Sequence, residues 1–181
     1  MGDLLIKGPP KLEDESGSDV KRFLTTRGTL LVKEFRDVNT IKLDYGYQLN
    51  LSTAIIKSMQ RSASPGTTTF GVRFEHFDPD QNVNTAFLDY DETEELIAAI
   101  ECINKMALEM TPEERDYVEV NFITKDGIKF GFYRQFGQNQ AFMYLSNIGD
   151  IIPLTLQKVA FIGKNVEYCR QYLISKGAPT S

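Results

Sequence analysis

The sequence of 181 residues has no tryptophan, a single histidine and only two cysteines. Zinc and related metal sites combine several histidine or cysteine ligands at short spacings, whereas Cys102 and Cys169 lie 67 residues apart. Two cysteines also cannot build a disulfide-dense scaffold. The composition therefore argues against a transition-metal enzyme and against a small disulfide-stabilised fold.

Positive charge is scarce as well. The chain has 20 Lys and Arg against 25 Asp and Glu, which gives a net charge of −5. Domains that bind nucleic acid usually carry a basic excess, because their contacts neutralise phosphates. The charge balance therefore disfavours nucleic acid as the partner, without excluding it.

Long apolar runs and targeting segments are missing too. The longest apolar runs span four or five residues, whereas a membrane-spanning helix needs about 20. No basic segment followed by an apolar one marks a signal peptide, and Ile6 stands where a myristoylation signal has Ser or Thr. We expect a soluble chain, either cytoplasmic or the mature part of a periplasmic or secreted protein.

Motifs that cradle phosphates, GxxxxGK[ST] and GxGxxG, do not occur. His76 is predicted to lie on the surface at a strand end, and both cysteines are predicted to be buried thiols in apolar helix faces. The acidic residues from Asp89 to Glu95 suit helix capping better than a calcium loop. We expect no cofactor, no metal and no catalytic activity.

A polar segment opens the chain. Residues 1–26 include Pro9-Pro10 and a Ser-Gly-Ser stretch beside three consecutive acidic residues. Such a composition buries too little apolar surface to offset the entropy of ordering. The sequence therefore predicts a flexible polar leader over 1–26.

Alternating apolar and polar residues predict four strands after the leader. The first covers 29–35 and ends at Arg36-Asp37. The others cover 45–56, 67–77 and 84–90. At Asp91 the apolar spacing becomes helical, and Asp91 with Glu94 has the spacing of a capping box. This helix is predicted to stop at Thr111-Pro112.

The second half repeats this order. Strands are predicted at 117–124, from Ile128 onward, at 140–145 and in a short run ending at Leu154, with an Asp-Gly turn after the first. Thr155 then caps a helix that ends at Lys176-Gly177. The chain therefore reads as tandem ββββα units, 28–110 and 116–177.

The predicted fold class is α+β, with about eight mostly antiparallel strands and two helices that cover one side of the sheet system. We expect one domain over 27–177 and a tail over 178–181, because each half alone would bury only one sheet face. The predicted core residues are Leu31, Leu49, Val72, Phe74, Leu96, Ile100, Val120, Phe130, Ile162 and Val166.

Two resemblances accompany this pattern. The tandem ββββα order resembles the whirly-type fold of single-stranded nucleic-acid binders. The stretch from Gly28 to Lys33, with Leu88-Asp89-Tyr90-Asp91-Glu92 before a helix, is similar to a family of uncharacterised bacterial proteins that read G-x-L-V-V-K and later I-D-Y-D-E-I. The second resemblance implies no catalytic residues.

Aromatic residues are plentiful, with 12 Phe and 8 Tyr. Core positions account for five of the phenylalanines: Phe70, Phe74, Phe122, Phe130 and Phe132. The candidates for a solvent-facing partner-binding face are Arg73, Lys129, Tyr133 and Arg134. We expect an accessory or interaction protein that binds protein through a sheet edge or sheet face, as a homo-oligomer or a subunit of a larger assembly. Single-stranded nucleic-acid binding on the same residues is the alternative.

Overall fold

The computed structural model describes residues 17–59, 66–110, 117–145 and 151–180. Within them it contains eight strands and three α-helices. The strands are β1 (Leu30–Lys42), β2 (Gln48–Met59), β3 (Thr68–Phe77), β4 (Val83–Asp89), β5 (Tyr117–Ile123), β6 (Lys129–Gln135), β7 (Gln138–Tyr144) and β8 (Ile151–Leu154). The helices are α1 (Asp19–Leu24), α2 (Thr93–Glu109) and α3 (Leu156–Ser175).

Both sheets are antiparallel meanders. Strands β1 to β4 form the first sheet in sequence order, and β5 to β8 form the second. The predicted α+β class and the tandem order of four strands followed by a helix are confirmed. The predicted helix stop at Thr111-Pro112 lies outside the described residues.

Strand alternation gives each sheet an inner and an outer face. In β3, Val72 and Phe74 are fully buried, and Arg73 between them faces the other way. The rings of Phe74 and Phe130 of β6 lie 6.3 Å apart in an edge-to-face arrangement. The inner faces of the two sheets therefore contribute to one cluster of buried residues.

Each of the two long helices contacts the sheet of the other half of the chain. Helix α2, which follows the first sheet, contacts β5 and β6 of the second, and α3 contacts β1, β2 and β3 of the first. The helices also pack against each other, where a Cβ at Gly163 would lie 3.1 Å from Cγ2 of Ile100. Each half thus completes the core of the other.

Most of the predicted core residues are buried. The buried ones are Leu49, Val72, Phe74, Leu96, Ile100, Phe130, Ile162 and Val166. The prediction for Leu31 is wrong, because this residue is half-buried and packs outside the main core cluster. Val120 is also half-buried, but it packs against the main cluster. Leu31 lies on the outer face beside α1, and Val120 lies on β5, which among the described residues pairs only with β6.

The leader prediction is wrong for the part of 1–26 that the structure describes, because α1 forms there. Oγ of Ser18 caps the helix by accepting from the Lys21 amide at 3.0 Å, and the Asp89 carboxylate accepts from the amides of Asp19 at 2.6 Å and Val20 at 2.9 Å. Val20 is fully buried against Ala54 and Ile56 of the outer sheet face. Residues 1–16 lie outside the described residues.

The tail prediction also needs correction. Ala178 is buried in the main core cluster, and the Tyr90 hydroxyl donates to the carbonyl of Pro179 at 2.6 Å. Apolar contact and a hydrogen bond to the first half therefore fix the start of the segment 178–181. Ser181 lies outside the described residues.

The capping box that begins the middle helix lies two residues earlier than predicted. It joins Asp89 and Glu92 rather than Asp91 and Glu94, and a 3-10 turn (Tyr90–Glu92) precedes α2. The Asp89 carboxylate also accepts from the first amides of α1, so the same residue begins one helix and holds the other. Asp91 is exposed and forms an ion pair with Lys125 at 2.7 Å.

Candidate protein-interaction surface

The four residues predicted to form a binding face do not share one face. Lys129 and Tyr133 lie on the outer face of the second sheet, and Arg73 lies on the outer face of the first. Arg134 follows Tyr133 directly, so strand alternation turns it inward. It is 6% exposed and donates to the Met110 carbonyl at 2.9 Å.

The outer face of the second sheet carries a row of aromatic rings. Tyr117 and Tyr133 stack with centroids 6.2 Å apart, and Tyr133 lies 6.0 Å from Phe142. Glu119 accepts from the Tyr117 hydroxyl at 2.7 Å, which raises the pKa of that tyrosine. Lys129 lies 3.9 Å from Glu119. The face is therefore aromatic and mixed in charge.

Arg73 on the outer face of the first sheet is neutralised locally. Its guanidinium lies 3.2 Å from Glu75, its Nε donates to Ser52 at 3.0 Å, and its charge stands 4.2 Å above the ring of Phe35. Because Glu75 lies beside Arg73, this region of the outer face does not present an unpaired positive charge.

The β4 edge of the first sheet is covered. The Phe87 amide donates to Oδ2 of Asp126 at 2.9 Å, and Lys21 donates to the other carboxylate oxygen at 2.8 Å. The Lys125 amide donates to Glu92 at 2.7 Å. The turn between β5 and β6 thus supplies a carboxylate acceptor to β4 and an amide donor to the start of α2.

Three carboxylates are buried at this junction: Asp89, Glu92 and Asp126. Burial raises the pKa of Asp89 and of Glu92, against the opposing effect of the backbone amides that bond to them. Within the described ranges, no group of three or more His, Cys, Asp and Glu residues is arranged to hold a metal ion. The carboxylates serve as hydrogen-bond acceptors that join α1, β4 and α2.

The opposite edge, β1, is open. The strand runs thirteen residues to Lys42, past the predicted end at Arg36-Asp37, with a bulge between Asp37 and Asn39. Charged side chains did not end the strand because an edge position leaves them in solvent. Among the described residues, β1 has backbone pairing only with β2.

The central residues of β1 alternate in charge around an aromatic residue. They read Lys33-Glu34-Phe35-Arg36-Asp37, and all five are exposed. When the segment is read in the reverse direction, each charged position on either side of Phe35 carries the opposite charge. These five residues were not among the predicted binding residues, although their symmetry is visible in the sequence.

Exposed apolar side chains flank this segment. Leu30 is 70% exposed and Val32 39% exposed at the start of β1. At the other end, a groove of about 290 Å³ lies between β1 and α3, lined in part by Val38, Phe161 and Tyr168. Phe161 and Tyr168 are exposed, so the groove adds apolar surface beside the open edge, next to the charged side chains of Arg36, Asp37 and Lys164.

The two cysteines have different environments. Cys169 is buried on α3 as predicted, and burial raises its thiol pKa to about 12. The prediction for Cys102 is wrong, because this residue is exposed. It lies between Ile100 and Ile103, the residues through which α2 faces the core.

Comparisons with known proteins leave the chain unassigned. No protein-family model matches the sequence, and no curated protein matches it. The whirly-type and bacterial-family resemblances therefore stay predictions. In the described residues, no helix combines the length and apolar character that crossing a bilayer requires.

Proposed function

We propose that this protein is a non-catalytic interaction protein that binds through the open edge of its first sheet, and that the partner there is a second copy of the chain. The observation that carries the proposal is the self-complementary order of side chains along β1. An unpaired edge strand offers backbone donors and acceptors to another strand. Here it offers them over thirteen residues.

Antiparallel pairing about Phe35 brings opposite charges together. Lys33 of one copy then lies opposite Asp37 of the other, and Glu34 lies opposite Arg36. Directly opposite residues share a face, and each opposite-charge pair contributes about 0.2–1 kcal/mol. The two-fold axis repeats each pair, so four favourable pairs flank a Phe35–Phe35 contact.

In the same register, exposed apolar side chains of the two copies cover each other. Val32 of the second copy approaches Val38, at the mouth of the groove formed with Phe161 and Tyr168. Burial of these side chains adds hydrophobic stabilisation to the backbone pairing. The bulge after Asp37 bends β1 at this point.

Two charge reversals test the register. Lys33→Glu makes the outer side of β1 acidic at positions 33 and 37, and Asp37→Lys makes both positions basic. When either variant pairs with itself, like charges face each other in two symmetry-related pairs. We therefore expect self-association to weaken about tenfold, which corresponds to about 1.4 kcal/mol. A mixture of the two variants restores both pairs, and we expect it to form a heterodimer.

Sedimentation over a concentration series measures these affinities. Lys105→Glu is the matched control, because Lys105 is an exposed lysine on α2 away from the edge. We expect it to change net charge equally and to leave association unchanged. A wild-type chain that stays monomeric, or a mixture no tighter than its components, contradicts the proposal.

Single-stranded nucleic-acid binding remains the alternative function. Its support is the stack of Tyr117 on Tyr133 and the position of Lys129, 5.9 Å from the ring of Tyr144, since aromatic rings with nearby cations bind bases. Glu119 beside Lys129 weakens that support. Titration with a fluorescent oligothymidine distinguishes the two: binding that falls steeply with salt favours nucleic acid, and no binding at low salt excludes it.

A further inference from the structure

A cleft of about 340 Å³ lies where the first sheet meets the second. Its walls come from the turn between β1 and β2, from the end of β3 and from β8. Leu43, Tyr47, Ile152 and Pro153 supply apolar surface to these walls. An apolar cavity of about 150 Å³ is enough to bind benzene. This cleft therefore has room for a substituted ring.

His76 lines the cleft and is buried, so the prediction of a surface histidine is wrong. It is 1% exposed because it follows Val72 and Phe74 on the inward-facing side of β3. The Tyr47 ring stacks on the imidazole at 5.2 Å. Among the described residues, neither Nδ1 nor Nε2 has a hydrogen-bond partner.

The imidazole is suited to an uncharged partner. Burial lowers the pKa of His76 from its ordinary value of 6.5, against the smaller effect of Asp78, so the ring is neutral at pH 7. A neutral imidazole presents one donor and one acceptor. A group that both donates and accepts, such as a hydroxyl or an amide, therefore complements it.

The mouth of the cleft combines a constrained turn with a neutralised charge. Tyr45 has the left-handed backbone angle φ = 58° and is 85% exposed. The Leu43 amide donates to the Tyr47 carbonyl at 2.9 Å across the turn. Asp44, the one charged residue among the described residues of the lining, is held by Lys158 at 2.7 Å. The described part of the lining therefore holds no unpaired charge that would select an ionic ligand.

We propose that this cleft binds a small, uncharged aromatic molecule with one hydroxyl or amide group. The aromatic ring lies between Leu43, Ile152 and Pro153, and the polar group forms a hydrogen bond with the imidazole of His76. The site is separate from the β1 edge, so it does not depend on the proposed self-association.

Phenol is the probe that tests the site, with toluene and benzoate as matched controls. The chain has one histidine, so the imidazole C–H signals in an NMR spectrum belong to His76. We expect phenol to shift these signals saturably and to bind at least about fivefold more tightly than toluene, which lacks the polar group. We expect benzoate to bind more weakly than phenol, because its charge would be desolvated.

Two variants separate hydrogen bonding from apolar contact. His76→Phe keeps a buried ring and removes the polar group, so phenol should bind no better than toluene, as measured by calorimetry. Ile151→Trp places a larger side chain at the cleft and leaves His76 unchanged, so we expect loss of phenol binding with an unperturbed fold. Equal wild-type affinity for phenol and toluene, or His76 signals that do not saturate, overturns the proposal. Lys33→Glu should leave phenol binding unchanged.

Discussion

The two edge strands of the first sheet, β1 and β4, have different surroundings. At β4, the turn between β5 and β6 lies against the strand, and Asp126 accepts from the Phe87 amide at 2.9 Å. At β1, backbone pairing within the described residues stops with β2, and residues 33–37, four of them charged, face solvent. A covered edge and an open edge thus border one sheet.

Under the proposed function, the β4 edge stabilises the fold and the β1 edge binds a second copy of the chain. Asp89 and Asp126 at the β4 edge are buried and hydrogen-bonded within the chain, so substitutions there should lower the free energy of unfolding. Residues 33–37 of β1 are exposed, so substitutions there should alter the proposed association with little effect on folding. Stability and self-association measured on the same variants test this division.

The largest effect is expected at Asp126. Asp126→Ala leaves the Phe87 amide and the Lys21 ammonium without their acceptor. Because the carboxylate is 5% exposed, we expect a loss of about 2–3 kcal/mol in the free energy of unfolding, measured by urea denaturation.

Asp91→Ala is the matched control for this substitution. Asp91 also bonds a lysine, at 2.7 Å, but its side chain is 67% exposed. Exposed pairs contribute about 0–1 kcal/mol, so the control should lose less than Asp126→Ala. Equal losses would mean that the cover over β4 contributes no more than a surface ion pair.

A smaller effect is expected where α1 covers the sheet beside β4. A Cβ added at Gly71 would lie 2.6 Å from Cγ2 of Val20 and 2.6 Å from the Leu88 carbonyl oxygen. Gly71→Ala should displace α1 and cost about 1–3 kcal/mol. Urea denaturation gives the loss, and amide hydrogen exchange over residues 19–24 shows whether the helix opens.

Gly17→Ala serves as the control for Gly71→Ala. A Cβ at Gly17 meets no atom within 4 Å, so this substitution should leave stability and exchange nearly unchanged. If Gly71→Ala behaved like Gly17→Ala, the close packing of α1 on β3 would be wrong.

The sequence predicted the elements whose signal is local. Alternation over residues 67–77 predicted β3, and the spacing of Leu96, Ile100 and Ile103 predicted α2. The same alternation puts His76 on the side of Val72 and Phe74, so its burial could have been predicted. Likewise, the helical spacing that faces Ile100 and Ile103 inward does not include Cys102.

Features that depend on distant residues could not be predicted. Helix α1 has only six residues, and such short helices are marginal alone. Its first amides bond to Asp89, about 70 positions away in sequence. The predicted binding residues lie on different faces for the same reason, because the placement of Arg73 and Lys129 on separate sheets depends on strand pairing and packing between distant parts of the chain.

The smallest effect on folding is expected at Lys33. This residue is exposed on β1, so Lys33→Glu should change the free energy of unfolding by less than about 0.5 kcal/mol. Measurements at a protein concentration well below the dimer dissociation constant exclude the contribution of association. Under those conditions the variant should match the wild type, while its self-association at higher concentration falls about tenfold. A large loss of monomer stability would show that β1 depends on Lys33 for folding, and the distinction between the open and the covered edge would fail.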